Sequence, residues 1–343
     1  MIPYLICFIL PASVLLFSKS RVKNKKMLIL ILLPAAFLIA FKGESIGADT
    51  VTYNNAFRAM VNGNFWQIRD YNRIELGFTG LIWLLSKMTS NPQIQYIVLA
   101  IFFFVTFYYF LYRSTENYPV FLLLFYGLNV FSFFLTGLRQ SFALLICLWA
   151  YDQAHKKHLF RFIICVGLAF LFHKSAIAFL IIYFCVRRNF KKIDIFYYAL
   201  FFILVIIFNK YIFSIGGELF DINYGIEFVA NGYIMFSIIA IITVLSFVFY
   251  RELKKNNQFN AALISLNAMC MAFWILRLFS RTAERITLYF MPFTILIVCE
   301  LLKLVRKETG RIILSFGMIA AVGFLFVYRL YALGLIPFVF FWN

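Results

Sequence analysis

Arg277, Arg281 and Arg285 recur every four residues, a spacing that puts side chains on one stripe of an α-helix. Guanidinium groups grip phosphate oxygens through a planar fork of donors, so three in a row can hold a diphosphate. Glu284 and Tyr289 sit beside them. The same residues can instead form an ion network inside a helical bundle, with Glu284 as its anion, or snorkel at a helix end. His173 and Lys174 close the apolar run Phe162–Phe172. Histidine is the side chain best suited to exchange a proton near neutral pH, although a lone histidine at a helix end also serves structure. Arg139, within Thr136–Ser141, stands alone between two apolar runs and needs either a partner or a route to the membrane interface. A fourth group lies in residues 43–75: Glu44, Asp49, Tyr53, Arg58, Arg69, Asp70, Arg73 and Glu75. Asp49 and Tyr53 share a helix face if Asp49 starts a helix, and Asp49 also has the chemistry of a plain N-cap.

These groups must be positioned by membrane helices. Of 343 residues, 64% are hydrophobic and 13% charged, and the mean hydropathy is +0.90. A soluble domain is about 45–50% apolar and about 25% charged; this chain has too little polar surface to coat a water-soluble body. A span needs roughly 20 apolar residues and must be helical, because lipid offers no partner to open backbone groups. The expected fold is all-α: one polytopic transmembrane bundle over residues 1–343, with about 11–13 membrane segments. The runs include Ile2–Phe17, Met27–Phe41, Leu76–Thr89, Ile94–Leu111, Val120–Leu135, Ser141–Tyr151, Ala261–Phe279, Ile286–Leu302 and Ile312–Tyr328.

The net charge of +18 does not indicate nucleic acid, because the cations cluster in short connectors between apolar runs. Lys19–Lys26, Lys156–Arg161, Arg187–Lys192, Arg251–Lys255 and Lys303–Arg311 carry five, three, four, three and four of them. Such connectors stay cytoplasmic. Ile2–Phe17 has its basic residues behind it, the reverse of a cleavable signal, so the N-terminus is expected outside. Also expected outside are residues 43–75, Lys174, residues 209–231, Arg281–Arg285 and the C-terminal tail. One parity problem arises, because three runs lie between residues 43–75 and Arg139. Either one of them is re-entrant, with Leu76–Thr89 the first choice, or Val120–Tyr151 is a broken helix containing Arg139. The six cysteines all fall in apolar runs without CxxC spacing, which gives neither a disulfide framework nor a zinc site. P-loop, Rossmann glycines, HExxH and paired-aspartate metal motifs are missing; no metal or other cofactor is expected, nor a nucleotide-sugar donor. Ionisable groups at membrane depth cost at least ~2.5–3.5 kcal/mol each, so they mark sites by default.

Five motifs in order carry a resemblance. They are G-A-D-T-V-T-Y (Gly47–Tyr53), E-L-G-F (Glu75–Phe78), L-R-Q (Leu138–Gln140), F-H-K-S-A (Phe172–Ala176) and S-R-T-A-E-R-I-T-L-Y-F (Ser280–Phe290). Together they resemble the EpsG family, Wzy-like polymerases of bacterial capsule, exopolysaccharide and O-antigen pathways. The resemblance implies a multi-pass glycosyltransferase of the bacterial plasma membrane, with its site at the outer face. It implies undecaprenyl-diphosphate-linked oligosaccharide as donor and acceptor, and a flippase and a chain-length regulator as pathway partners. On that reading His173, Asp49 and Glu75, in that order, are candidates to deprotonate the acceptor hydroxyl. Arg139, Arg277, Arg281 and Arg285 would neutralise the leaving diphosphate, with Tyr53 and Lys174 in substrate binding. A flippase for lipid-linked sugar or an O-antigen-type ligase would draw on the same residues.

Overall fold

Most apolar runs become α-helices. A computed structural model describes residues 1–17, 24–72, 75–220 and 232–342. Lys19, Arg21, Lys23, Arg73, Asp221 and Asn343, with the remainder of residues 221–231, lie outside the described residues. In chain order the helices are α1 (Ile2–Phe17), α2 (Lys25–Phe41), α3 (Thr50–Asn62), α4 (Phe65–Asn72), α5 (Leu76–Ser86) and α6 (Gln93–Ser114). Then come α7 (Tyr118–Gly127), α8 (Val130–Thr136), α9 (Leu138–His155), α10 (Leu159–Phe172), α11 (Ile182–Arg187) and α12 (Lys192–Ile207). The last six are α13 (Asn209–Phe220), α14 (Tyr233–Val248), α15 (Tyr250–Asn256), α16 (Asn260–Arg277), α17 (Glu284–Lys303) and α18 (Glu308–Ala332). Two 3-10 segments, Lys174–Ile181 and Arg281–Ala283, join neighbouring helices. No strand occurs among the described residues, only a single antiparallel bridge between Lys42 and Phe340.

The protein is an all-α polytopic bundle, with fewer full-length spans than apolar runs. Among the described residues four helical stretches are long and apolar enough to cross a membrane, or up to seven if each bent pair counts as one span. The bent pairs are α7 with α8 (58°), α12 with α13 (68°) and α14 with α15 (72°). Of the 11–13 apolar segments, several are halves of bent pairs or are shorter than a straight crossing. The 11 residues of α5 reach only about 16 Å, against a hydrocarbon core of about 30 Å. Leu76–Thr89 is thus too short for a straight crossing. The Val120–Tyr151 stretch is also broken, at Asn129, which holds a left-handed conformation (φ 67°), and at Gly137. Arg139 follows the second break as the second residue of α9. Residues 43–75 are more structured than a loop, since they contain α3 and α4, and the segment from 209 opens with α13.

The chain divides into two compact units. The first comprises residues 1–150, 164–176 and 308–343, and the second residues 151–163 and 177–307. In the first, every residue of α7 is buried, packed among α1, α8 and α18. Helix α18 buries Val322, Phe326 and Leu330, one stripe at a spacing of four, and Gly127 lets Val322 approach where a Cβ would lie 2.3 Å from it. Its other faces expose Ile312, Ile313, Phe316 and Phe324, which suits contact with lipid. In the second unit α16 is buried along almost its whole length and packs on α11, α12, α14, α15 and α17. Its asparagines hydrogen-bond across helices. Asn267 Nδ2 donates to Thr243 Oγ1 at 3.0 Å, and Asn260 Nδ2 to Glu300 Oε2 at 3.2 Å, the polar contacts that hold helices together where apolar burial gives no preference.

Candidate active site

Within the first unit, four segments remote in sequence meet around Glu75. Its Oε2 is ion-paired with Nη1 of Arg139, and its Oε1 accepts a hydrogen bond from Nδ1 of His173 at 3.1 Å. Glu75 and His173 are each 12% exposed, buried enough for the contacts to count yet within reach of a ligand. The Arg139 guanidinium lies 5.8 Å from the centre of the Tyr53 ring, and that ring packs on Phe78 at 5.5 Å.

Local geometry explains the meeting. Glu75 precedes α5 in an extended conformation and makes no side-chain cap bond, so its carboxylate is left for Arg139 and His173. Two residues on, a Cβ at Gly77 would lie 2.8 Å from the carbonyl oxygen of Leu171. Glycine there lets the first turn of α5 press on the last turn of α10, and His173 follows that turn directly. Gly47 has φ +94°, and a Cβ on it would lie 2.4 Å from the Leu135 carbonyl oxygen. It seats the start of α3, and with it Tyr53, against the end of α8, four residues before Arg139.

Lys42 fastens the same corner and was not among the candidates. It is 2% exposed, and its ammonium donates to Leu135 O at 2.5 Å, Thr50 Oγ1 at 2.7 Å and Ile46 O at 3.2 Å. All three donors of a protonated lysine are thereby used, and the Tyr96 ring lies 4.5 Å away. Its one sequence signal is isolation: a single cation ending the run Met27–Phe41, apart from every basic connector. Asp49 behaves differently. It occupies the N-cap position of α3 without a side-chain cap bond, is exposed, and its carbonyl accepts the Tyr53 N–H at 3.0 Å. Among the described residues its side chain forms no ion pair or hydrogen bond with the Glu75 cluster. Lys174 is exposed at the start of the 3-10 segment.

Burial alone would raise the Glu75 carboxyl above its ordinary 4.5. The His173 hydrogen bond and the Arg139 charge outweigh it and bring the pKa down to about 2. Glu75 is therefore a permanent carboxylate near neutral pH. A carboxylate that accepts from Nδ1 fixes the imidazole tautomer with its basic lone pair on Nε2 and stabilises the imidazolium formed when that nitrogen takes a proton.

In the second unit the arginine stripe is not continuous. Helix α16 ends at Arg277 and α17 begins at Glu284; Ser280 between them is extended (φ −150°, ψ 129°). The four-residue spacing thus crosses a helix–helix turn. Arg277 is 4% exposed and its Nε donates to Glu284 Oε2 at 2.8 Å. A cation at the C-terminus of one helix and an anion at the N-terminus of the next each suit the local helix dipole, so the pair stitches the turn. Arg281 and Arg285, by contrast, are exposed.

A family model described as the EpsG family matches residues 25–340. The chain belongs to the EpsG family. It is a multi-pass membrane protein of polysaccharide synthesis. No curated protein and no solved structure matches it. The EpsG match takes in every residue of both clusters, and in this EpsG chain the five motifs divide between two structural tasks. Four of them, from Gly47–Tyr53 to Phe172–Ala176, build the Glu75 cluster in one unit, and the fifth forms the arginine turn of the other.

Proposed function

We propose that this EpsG-family chain is a Wzy-like polysaccharide polymerase acting at the outer face of the plasma membrane. A growing glycan on undecaprenyl diphosphate is the donor, and the sugar of a second lipid-linked repeat unit is the acceptor. The acceptor hydroxyl attacks the donor's anomeric carbon. A new C–O glycosidic bond forms, the C–O bond to the diphosphate breaks, and the lipid diphosphate leaves with the electron pair. His173 Nε2 takes the hydroxyl proton, a contribution typically worth 10²–10⁴-fold in such reactions. Glu75 holds the imidazole in the required tautomer, and Arg139 holds Glu75. The charge that develops on the leaving diphosphate calls for preorganised cations, the role in which such groups are worth most. Nothing in this scheme needs a nucleotide-sugar, in keeping with the motifs the sequence lacks.

The observation that carries the reading is the His173–Glu75–Arg139 chain, three ionisable groups gathered from segments up to 98 residues apart. Purified protein incubated with lipid-linked repeat units tests it by mass spectrometry of the lipid products. Products that grow by whole repeat units while still attached to lipid diphosphate are expected. Unchanged units moved across a bilayer would mark a flippase, and glycan transferred to a non-lipid-linked acceptor a ligase; either result would overturn the proposal.

A further inference from the structure

Far along the chain from the Glu75 cluster, the second unit contains a cavity of about 670 Å³ whose wall is cationic. Arg187, Arg188, Arg251, Lys254 and Lys255 line it, and no acidic residue does. Its walls come from the end of α11, from α15 where the chain turns 72° off α14, and from the start of α16. One of the five cations is already neutralised. Arg188 is ion-paired with Asp194, donating to Oδ1 through Nε at 3.2 Å. The Lys254 ammonium donates to the carbonyl of Phe190 at 2.7 Å, which orients it without cancelling its charge. Arg187 lies over the Tyr183 ring at 4.8 Å and Arg251 over the Tyr250 ring at 5.8 Å; both rings steady the guanidinium planes and leave their charge. Among the described residues Arg187, Arg251, Lys254 and Lys255 form no ion pair.

Four cations without an ion pair around one concavity repel each other. An anion in the cavity adds an attraction to each of them. The shape and donor set narrow the chemistry. Forked guanidiniums beside point-charge ammoniums suit phosphate oxygens, and the volume falls in the range of small-molecule sites, roughly 300–1,000 Å³, too large for a lone inorganic ion. Phe259, 61% exposed, adds an apolar wall beside the cations. Both basic connectors involved, Arg187–Lys192 and Arg251–Lys255, are among those expected at the cytoplasmic surface. Anionic lipids concentrate there and attract nearby Lys and Arg. We infer that this cavity is a binding site for a phosphate-bearing anion, the headgroup of an anionic phospholipid with its acyl chains toward Phe259.

Native mass spectrometry of the full chain released from nanodiscs tests it. With discs of equal phosphatidylglycerol and phosphatidylcholine, phosphatidylglycerol should stay bound to the wild-type protein. The Arg251→Gln, Lys254→Gln, Lys255→Gln triple variant should reduce that retention at least tenfold. A control losing the same charge elsewhere, Lys303→Gln, Arg306→Gln, Arg311→Gln, should not. On the wild type alone, millimolar glycerol 1-phosphate should displace the retained lipid, so the test survives a variant that folds poorly. If instead inorganic phosphate raises the melting temperature of delipidated wild type and the triple variant abolishes that shift, while no phosphatidylglycerol is retained, the phosphate site stands and its source is soluble. Equal retention in the cavity and control variants, with no phosphate-dependent shift, would overturn the inference, as would binding of acidic peptides alone.

Discussion

Two arginine–carboxylate pairs, one in each unit, do different things. Arg277 and Glu284 are seven residues apart and close the turn between consecutive helices. Arg139 and Glu75 are 64 residues apart, and the same carboxylate also holds His173. The local pair ties two consecutive helices and leaves Arg277 Nη1 buried without a hydrogen-bond partner, whereas the remote pair collects distant segments and shares its carboxylate with an imidazole. Regular spacing of arginines is therefore a poorer guide to chemistry than an acid shared by two remote bases. Of the three arginines of this turn, Arg281 and Arg285 are the exposed ones.

Breaking the remote pair should have the largest effect. Arg139→Ala leaves Glu75 half buried with one partner, a loss on the order of 3 kcal/mol when one member of such a pair is removed. Lower protein level and no polymer are expected on membrane immunoblots and polymer gels. Normal abundance with full-length polymer would show that Arg139 neither holds Glu75 nor serves the reaction. Gly77→Ala sharpens the point, since the new Cβ meets the Leu171 backbone at 2.8 Å and must move α5 or α10. Polymer formation should fall about 100-fold, the scale of a 1 Å misplacement, with much of the protein still in the membrane. Unchanged polymer would mean that the close approach does not position Glu75.

Much of this architecture could be read from the sequence, and the limits have physical causes. Helix α1 matches its apolar run residue for residue, and α16 and α17 match theirs to within two residues, because hydropathy dictates where a membrane helix can lie. Arg139 and His173 also stood out beside apolar runs, and Glu75 and Tyr53 as members of the ionic group in residues 43–75. Their convergence did not, because a separation of 64 or 98 residues leaves no periodic trace. Lys42 escaped notice because a cation ending an apolar run looks like an ordinary membrane flank. The arginine spacing misled because Ser280, a residue that helices tolerate, is extended here and ends the stripe.

The local pair should give a smaller effect and a different kind of one. Arg277→Ala leaves Glu284 without its partner, costing about 1–3 kcal/mol, so protein level should drop. Adding Glu284→Gln should restore level and polymer together. Recovery of level without polymer would place Arg277 in the reaction after all. Near neutral pH the least effect comes from pH. The Glu75 carboxyl is depressed from 4.5 to about 2, so its contribution, on the order of 3 kcal/mol, is fully present above about pH 4.5 and fades as pH falls toward 2. Thermal unfolding in detergent should show no Glu75-dependent change between pH 7 and pH 5 and a loss below that, flattened in Glu75→Gln. An equal acid loss in that variant would assign the effect to other carboxylates.

The central claim is that His173, held by Glu75, accepts the proton. His173→Asn tests it most directly, because the asparagine amide can still donate to Glu75 where Nδ1 did but has no basic nitrogen. Polymer ladder length and membrane protein level should be measured on the same cells. Protein level near that of the wild type, with polymerisation down at least about 100-fold, is the predicted result. A full-length ladder from His173→Asn would contradict the account.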